Sequence, residues 1–531
     1  MLLIEKINSL SSKVKKILFT TLMCLAIVIF WMAREPIFFR DYAIIWEGVG
    51  RMLAGYSPFS DFGMPVGPIV LFIPYIFAKF LGFTWLSLQL SQLFQNFLLI
   101  ILGSSVLNKL TSSTKIYFSA MGLYSLFYIS FLMHPWYNTT AFLLLLCAIY
   151  FSLFKNPGLI FISGIFAALC IFCKQDYGFM TIISCLILIL GHELIKISDF
   201  KQMNMKPIFL KILKRVGIFS LGAVLVIGIF LFLYEDDYIS YWYGLSGSSD
   251  LSYRKLFALI TAYKNGLMYL AIIGLILGFK FRSFVLLICS VMLLVSGVAR
   301  YTSGLYFTSF FFWLFLPPYL YEIKYSVFEH LKGSLKLFFI FAISISIALA
   351  IKAPLENIYK FWTSTLSNKP EHYYFDSSKI VLPVSNLGEC TPVLENIYSP
   401  GNICKSLEEI RLALSDIDSP LVLNISEFTP LTELVSGEYP LNLPLWYHLG
   451  VTLHDREIED ILFKVNANAY DLVAVQCVLT EPTFFEKKLL LRLRQKSNYI
   501  ELNPIVGPMR ATDIFTKPQE CSGDIYIFVQ K

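Results

Sequence analysis

The sequence predicts a polytopic α-helical membrane protein with a C-terminal extracytoplasmic α/β domain. Two observations lead to this fold class. Hydrophobic residues make up 56% of the chain and charged residues 15%, whereas a soluble domain carries about 25% charged residues. Long apolar runs fill residues 1–355, and charged and turn residues become common from residue 356 to residue 531. We therefore expect a transmembrane domain over 1–355 and a soluble exterior domain over 356–531.

The apolar runs are the candidate membrane spans. A helix needs roughly 20 residues to cross a hydrocarbon core of about 30 Å, so the ends of the shorter runs are approximate. The first run, Ile17 to Ala33, has no small-residue cleavage site behind it and reads as a span, not as a signal peptide. The sequence thus predicts about eleven spans, at 17–33, 84–106, 116–133, 139–154, 157–173, 178–195, 216–234, 266–279, 284–299, 304–320 and 336–352.

Basic residues predict the orientation of these spans, because Lys and Arg accumulate in cytoplasmic loops. Lys13, Lys15 and Lys16 precede the first span, which places the N-terminus in the cytoplasm. The C-terminal domain is then extracytoplasmic. The net charge of +6 follows from this loop bias and does not indicate a nucleic-acid partner. Counted from the N-terminus, the basic loops on the inner side are 109–115, 155, 196–215, 280–282 and 324–336.

One further apolar run, Ile69 to Phe80, does not fit this count. If it crossed the membrane, the basic loop 196–215 would lie outside, against the positive-inside rule. Pro68 and Pro74 also interrupt it. We therefore expect a re-entrant or interfacial segment within the first exterior loop, residues 34–83.

The same loop begins with a short amphipathic helix. Apolar residues at Tyr42, Ile45, Trp46, Val49, Met52 and Leu53 lie on one helical face, and Gly55 and Pro58 end the helix. Such a helix is expected to lie flat on the membrane surface. Asp41 at its first turn is the candidate catalytic residue. A carboxylate in this position can also serve only as a helix cap.

Other ionisable residues on the exterior side are candidate site residues, since charge beside lipid is costly unless it is used. Each has an alternative as an ordinary surface, flanking or interfacial group. The candidates for substrate binding are Glu47, Asp61, His134, Tyr137 and Asp176. The candidates for binding a lipid phosphate are Lys174, Arg254 and Arg300. The acidic run Glu235, Asp236 and Asp237 could hold a divalent cation through oxygen ligands, or be a solvated loop.

The C-terminal domain is expected to alternate helices with buried strands. Its four cysteines, Cys390, Cys404, Cys477 and Cys521, suit two disulfides in an oxidising compartment. We expect Cys390 to pair with Cys404 and Cys477 with Cys521, although spacing alone does not fix the pairing. The predicted helices are 407–414, 457–465 and 484–496, and the predicted strands are 421–425, 471–477 and 525–529.

Three segments resemble landmarks of the GT-C superfamily of polyprenyl-phosphate-dependent glycosyltransferases. They are R-D-Y with the later G-Y-S-P-F-S-D-F-G-M-P-V-G-P in 40–68, H-P-W-Y-N-T-T-A-F in 134–142, and A-A-L-C-I-F-C-K-Q-D-Y-G in 167–178. The class includes protein O-mannosyltransferases and bacterial transferases that add sugars to lipid A and lipopolysaccharide core. The resemblance covers about residues 15–350 and implies a GT-C-like fold.

The resemblance also implies a reaction. A sugar would pass from a polyprenyl phosphate to a hydroxyl of a glycan, glycolipid or protein acceptor of the cell envelope. Asp41 matches the family's catalytic base, which removes the hydroxyl proton. Exterior cations would stabilise the departing phosphate, and a one-step displacement would invert the anomeric carbon. Many members carry two adjacent acids here, whereas Tyr42 follows Asp41, so the use of a divalent cation stays open.

Two other function classes are compatible with the sequence. A transporter or a flippase for lipid-linked sugars would also be polytopic, although no repeated halves are visible. A receptor or assembly protein would act through its exterior domain. The abundance of Ile, Lys, Phe and Asn and the lack of a eukaryotic retention signal favour a bacterial inner membrane.

Overall fold

The computed structural model describes most of the chain, in segments. The described residues are 10–32, 40–64, 66–129, 137–195, 205–248, 266–302, 310–331, 333–366, 384–395, 398–400, 403–426, 428, 430–445, 447, 455–476, 484–505 and 524–531. Only the backbone is described for residues 30, 32, 40–43, 126–129, 205–206, 235–248, 298–302, 310–312, 350–366, 384–386, 398–400, 455–456 and 484–487.

Each of the eleven candidate spans has a helical counterpart. Local sequence explains several helix starts. The Thr84 hydroxyl accepts from the Ser87 N–H in a capping box at the helix that begins at Trp85. The Asn156 side chain accepts from the Gly158 N–H at the helix that begins at Pro157. The helices are α1 (Ser12–Met32), α4 (Trp85–Leu110), α5 (Thr114–Ile129), α6 (Tyr137–Ser152), α7 (Pro157–Ile171), α8 (Gln175–Leu194), α9 (Met205–Ser248), α10 (Gly266–Phe281), α11 (Phe284–Thr302), α12 (Phe310–Glu322) and α13 (Gly333–Leu366).

The helices make this a polytopic membrane protein. Within the described residues, three stretches are long and apolar enough to cross a membrane: Trp85–Leu110, Gln175–Leu194 and Pro207–Tyr234. Six further apolar helices are shorter than 18 residues. The count of eleven spans therefore stays a prediction.

The basic ends of several helices meet at one end of the bundle, which we call the inner end. The Lys16 ammonium donates to the Thr111 carbonyl at 3.2 Å, and Lys109 lies 4.4 Å from the centre of the Phe154 ring. Arg215 donates to the Phe154 carbonyl at 3.0 Å. These contacts bring together loops that the positive-inside rule places on one side.

Two helices lie between α1 and α4, in the predicted exterior loop. They are α2 (Arg40–Leu53) and α3 (Ile69–Leu81). Helix α3 contains Pro74, and its 13 residues extend about 20 Å, too short for a hydrocarbon core of about 30 Å. This length agrees with the expectation that the run does not span. Its placement as re-entrant or interfacial stays a prediction.

The C-terminal region, residues 384–531, has helices and strands where the sequence predicts them. Its helices are α14 (Ile403–Ala413), α15 (Leu431–Leu434), α16 (Asp455–Asn466) and α17 (Phe484–Gln495). Its strands are β1 (Val384–Asn386), β2 (Tyr398–Pro400), β3 (Val422–Ile425), β4 (Leu472–Gln476), β5 (Tyr499–Glu501) and β6 (Ile525–Gln530). Strands β1 and β2 form an antiparallel pair.

The other four strands form one sheet in the order β3-β4-β6-β5. Strand β3 runs parallel to β4, with Val422 opposite Leu472, and the other two pairings are antiparallel. Both β3 and β4 are buried throughout, which explains their continuous apolar sequence.

The boundary predicted at residues 355 and 356 falls inside a helix, because α13 continues to Leu366. The buried core is also continuous from the helical bundle into the C-terminal region, where it includes Leu387, Leu407 and Leu445. Cys390 and Cys404 form the expected disulfide. Cys477 and Cys521 lie outside the described residues.

Candidate functional site

Helix α2 is present as predicted and carries Asp41 in its first turn, but the Asp41 side chain lies outside the described residues. The helix ends at Leu53, two residues before Gly55. Trp46 is fully buried, with its ring centre 4.3 Å from that of Phe83. The apolar face of α2 thus packs on the start of α4.

A helix that lies flat on a membrane surface keeps its polar face in water, and α2 does not. Residues 44–51 are all buried, and the polar residues Glu47 and Arg51 are only 3% and 2% exposed. The interpretation of Glu47 as a solvated group is therefore also wrong. The physical reason is tertiary: residues 433–447 of the C-terminal region cover the polar face of α2.

At the opposite end of the bundle from the inner end, the first loop meets the corner between α7 and α8. Gly67 donates its N–H to the Cys173 carbonyl at 3.0 Å, and Ile69 donates to the Phe172 carbonyl at 3.3 Å. A Cβ atom on Gly67 would lie 1.8 Å from the Phe172 carbonyl oxygen, so only glycine permits this approach. We call this end, formed by residues 66–69, 137–140 and 172–178, the outer end.

Lys174 is the cation at the centre of the outer end. Its ammonium donates to the Asn138 side-chain oxygen at 2.9 Å and lies 3.8 Å from the Asp176 carboxylate. It also lies 4.5 Å from the centre of the Tyr177 ring and 5.7 Å from that of Tyr137. An ammonium has three donors, so a lipid phosphate could accept further bonds from it. Asp176 would oppose a second anion.

The start of a helix adds to the positive potential at the outer end. Helix α8 begins at Gln175 directly after Lys174, whose side chain makes no capping bond. The first N–H groups of a helix have no partner within the helix, and the helix dipole is positive there. With Lys174, this arrangement favours an anion such as phosphate.

Buried polar side chains of α4 support the start of α6. Gln92 donates to the Thr139 hydroxyl at 2.8 Å, and Thr140 donates to the Gln95 side-chain oxygen at 2.7 Å. Asn138 is fully buried, and its side-chain nitrogen has no hydrogen-bond partner among the described residues. The residue that holds Lys174 is therefore fixed in a polar layer and keeps one unused donor.

A second polar cluster joins α2 to the C-terminal region, and we call it the junction. The Arg51 guanidinium donates to Glu47 Oε1 at 2.6 and 3.1 Å, within one helix turn. Its remaining nitrogen donates to the carbonyls of Pro440 and Leu443 at 3.3 and 3.4 Å. The guanidinium also lies 5.0 Å from the centre of the Tyr439 ring.

The junction holds a second carboxyl, that of Glu433. It accepts a short hydrogen bond from the Tyr439 hydroxyl, and both groups lie 2.5 Å from the position that a Cβ atom of Gly50 would take. The pKa of Glu433 is raised to about 8, chiefly because burial disfavours the charged form; the hydrogen bond from Tyr439 opposes this shift, and the nearby Glu47 carboxylate adds to it. Burial also raises the pKa of Glu47, against the opposing charge of Arg51. At neutral pH the junction thus favours a neutral Glu433 beside one Glu47–Arg51 pair.

The remaining predicted site residues are dispersed or lie outside the description. Asp61 is in the turn after α2, where its carboxylate accepts from the Ser57 N–H at 2.6 Å, the usual role of an acid in a turn. His134 and Arg254 lie outside the described residues, and the side chains of Glu235, Asp236, Asp237 and Arg300 do as well. Within the described part, no group of three or more His, Cys, Asp or Glu could hold a metal ion.

The structure therefore brings together Tyr137, Lys174 and Asp176, and it places Glu47 in the junction with Arg51. Sequence reasoning missed Arg51, Glu433 and Tyr439. Arg51 could have been found from the sequence, because Glu47 and Arg51 have the four-residue spacing of a helical ion pair. No local signal connects Glu433 or Tyr439 to a helix almost 400 residues earlier.

No protein-family model matches the chain, and no curated protein matches it. Among solved structures, the fold is similar to the crystal structure of ArnT from Cupriavidus metallidurans bound to undecaprenyl phosphate. The TM-score is 0.47 at 10% sequence identity, over 96% of this chain and 97% of that chain. These values do not assign a family or an activity.

Proposed function

We propose that this protein is an integral-membrane glycosyltransferase of the GT-C type, with Asp41 as its general base. It would move a sugar from a polyprenyl phosphate to a hydroxyl of an extracytoplasmic acceptor. The observation that carries the proposal is the meeting of three separate sequence landmarks at the outer end. Gly67 of the first loop bonds to Cys173, and the adjacent Lys174 bonds to Asn138.

The donor phosphate would bind at Lys174. Its ammonium donates to Asn138 at 2.9 Å, and Lys174 directly precedes the start of α8. Pre-placed donors stabilise charge that develops on a leaving phosphate without reorganisation. Arg254 and Arg300 are proposed as further phosphate ligands. The acidic residues Glu235, Asp236 and Asp237 remain the candidate ligands if a divalent cation takes part.

The reaction needs one proton transfer. A prenyl phosphate is already a good leaving group, so no general acid is required. The acceptor hydroxyl loses its proton to the Asp41 carboxylate as its oxygen attacks the anomeric carbon, and the carbon–phosphate oxygen bond breaks. Attack from the side opposite the phosphate inverts the anomeric centre. The polyprenyl tail would stay among the apolar helices while the sugar reacts at the membrane surface.

A transporter or flippase is the second candidate. The buried polar pairs Gln92–Thr139 and Gln95–Thr140 would also suit a path for a polar headgroup through the bundle. Flux of a lipid-linked sugar in proteoliposomes, without a covalent product, would favour this candidate.

The test is a transfer assay with purified protein in nanodiscs, using a panel of polyprenyl-phosphate sugars and hydroxyl acceptors. We expect Asp41→Asn to lower turnover at least about 100-fold, the usual contribution of a general base, while the protein still folds. Lys174→Ala should raise the donor KM. The matched control is Asp460→Asn, which removes a surface carboxylate paired with Lys464 on α16 and should leave turnover unchanged.

Near-normal transfer by Asp41→Asn would show that the base is another group. Parallel reactions with EDTA decide whether a divalent cation takes part. If folded wild-type protein turns over no donor but moves a lipid-linked sugar across proteoliposome membranes, the glycosyltransferase proposal is replaced by the transporter or flippase.

A further inference from the structure

Helix α2 carries the proposed base at one end and the junction at the other. Asp41 and Arg51 are ten residues apart, about 15 Å along a helix axis. One side of α2 packs on Phe83 and Trp85 at the start of α4. The other side faces residues 433–447 of the C-terminal region. The position of α2 is thus set by two parts of the chain that are far apart in sequence.

Arg51 is the side chain that connects them. Two of its nitrogens bind Glu47, and the third reaches two carbonyls of the C-terminal region. A planar guanidinium can make these bonds at once because its donors point in fixed, divergent directions. Gly50 allows the close approach, since a Cβ atom there would lie 2.5 Å from both the Glu433 carboxylate and the Tyr439 hydroxyl.

The loop after α2 is held by the same segment. Asn442 donates its N–H to the Asp61 carbonyl at 2.8 Å, and Leu445 donates to the Gly63 carbonyl at 2.9 Å. This loop continues to Gly67, which bonds to the corner beside Lys174. Residues 433–447 therefore contact both the helix with the proposed base and the loop that reaches the proposed phosphate site.

The junction is also costly to maintain. One oxygen of Glu47 and one of Glu433 are buried without a hydrogen-bond partner among the described residues. Buried charge is weak support for stability, and an apolar replacement is often at least as stable. The buried polar contacts of the junction are therefore better explained by a need to hold α2 in one defined position on the C-terminal region than by a gain in stability.

We propose that the C-terminal region is a working part of the transferase, because residues 433–447 fix α2 and its loop, with Arg51 as the positioning residue. This inference rests on the proposed role of Asp41. The C-terminal region then sets the position of Asp41 relative to the sugar of a donor whose phosphate is bound at Lys174. It contributes to turnover more than to donor binding.

The experiment compares Arg51→Lys with Arg215→Lys, because Arg215 makes an equally short bond to the buried Glu193 but lies at the inner end. Lysine keeps the positive charge beside the glutamate, so both variants are expected to fold. The lysine ammonium is one compact group without the divergent nitrogens of a guanidinium, so it cannot bind Glu47 and also reach the Pro440 and Leu443 carbonyls. Transfer by wild-type protein is measured first, with kcat and donor KM determined separately.

We expect Arg51→Lys to lower kcat about 10- to 100-fold, since a displacement of about 1 Å can cost 100-fold. Its donor KM should stay within about twofold, because Lys174 is held by α6 and α8. Arg215→Lys should keep both constants within about twofold. Equal effects of the two variants, or a change in KM without a change in kcat, would overturn the inference.

Amide hydrogen exchange separates this inference from the proposed function. Arg51→Lys should speed exchange in residues 44–64, and Arg215→Lys should not. Unchanged exchange in the first variant would overturn the inference, whatever the activity. If Arg51→Lys exchanges faster but the wild-type protein transfers no sugar, the proposed function is wrong, while the attachment of α2 to the C-terminal region is confirmed.

Discussion

Two buried Glu–Arg clusters in the described part of the chain, one at the junction and one at the inner end, are built differently. Each has a glutamate oxygen 2.6 Å from a guanidinium nitrogen. At the inner end, Glu193 of α8 binds Arg215 of α9 through one oxygen and Lys211 through the other at 2.9 Å. At the junction, Glu47 binds Arg51 of the same helix, and its second oxygen has no partner among the described residues.

The two arginines therefore differ in what they connect: Arg215 joins neighbouring helices, whereas Arg51 joins α2 to the C-terminal region. Arg215 joins two neighbouring helices and the end of α6, where it bonds to the Phe154 carbonyl. Among the described residues, the hydrogen bonds of Arg215 reach His192, Glu193 and Phe154, the last of them 61 residues away. Arg51 joins segments almost 400 residues apart. Among the described residues, the buried polar atom left without a hydrogen-bond partner at the inner end is Arg215 Nε, whereas at the junction one carboxyl oxygen each of Glu47 and Glu433 is left so. Both oxygens of Glu193 are paired. A buried carboxylate with an unpaired oxygen needs a reason other than stability to persist.

The largest expected contrast is in stability. Arg51→Met leaves the Glu47 carboxylate buried without a neighbouring cation and should cost about 3–5 kcal/mol of unfolding free energy. Arg215→Met should cost less, because Lys211 still neutralises Glu193. Thermal unfolding in one detergent measures both. Adding Glu47→Gln to Arg51→Met should recover part of the loss, and equal losses from the two single variants would break the comparison.

A smaller effect is expected from the backbone contact at the outer end. Gly67→Ala places a methyl group 1.8 Å from the Phe172 carbonyl oxygen, so the loop must move, at a cost of about 1–3 kcal/mol. Gly228→Ala is the matched control, because a Cβ atom there meets nothing within 4 Å. Unfolding temperature and transfer rate report both changes. A Gly67→Ala protein as stable and active as the control would show that this contact does not hold the loop.

The smallest effect is a pH dependence that only the junction should show. Glu433 has a raised pKa of about 8 in the folded protein, because burial and Glu47 disfavour its charge, and Tyr439 and Arg51 also face this site. A raised carboxyl pKa gives stability that is fully present below the unfolded pKa and is lost as the pH rises through 8. Between pH 7 and pH 8 the loss should be about 1 kcal/mol.

Glu433→Gln tests this pH dependence directly. Glutamine keeps an oxygen for the Tyr439 hydroxyl but cannot ionise, so its unfolding temperature should vary less between pH 7 and pH 8 than that of the wild type. Unfolding temperatures measured across pH 6 to 9 give the comparison. The same slope in both proteins would assign the pH dependence to other groups.

The sequence by itself determined the helices, the inner basic end and most of the C-terminal elements. These follow from local physics: apolar runs must leave water, turn residues end helices, and a short continuous apolar run is typical of a fully buried strand. The predicted strand 421–425 and the observed Val422–Ile425 agree for this reason. The meeting of Gly67 with Cys173 was not predicted, although both segments resemble landmarks of one family.

Only the tertiary structure decided where the polar face of α2 points. Amphipathicity shows that Glu47 and Arg51 share a face, and it predicts water on that face. The structure covers it with Tyr439, Pro440 and Leu443. A sequence pattern records which side chains avoid water, but it does not record which distant segment replaces the water beside a polar one.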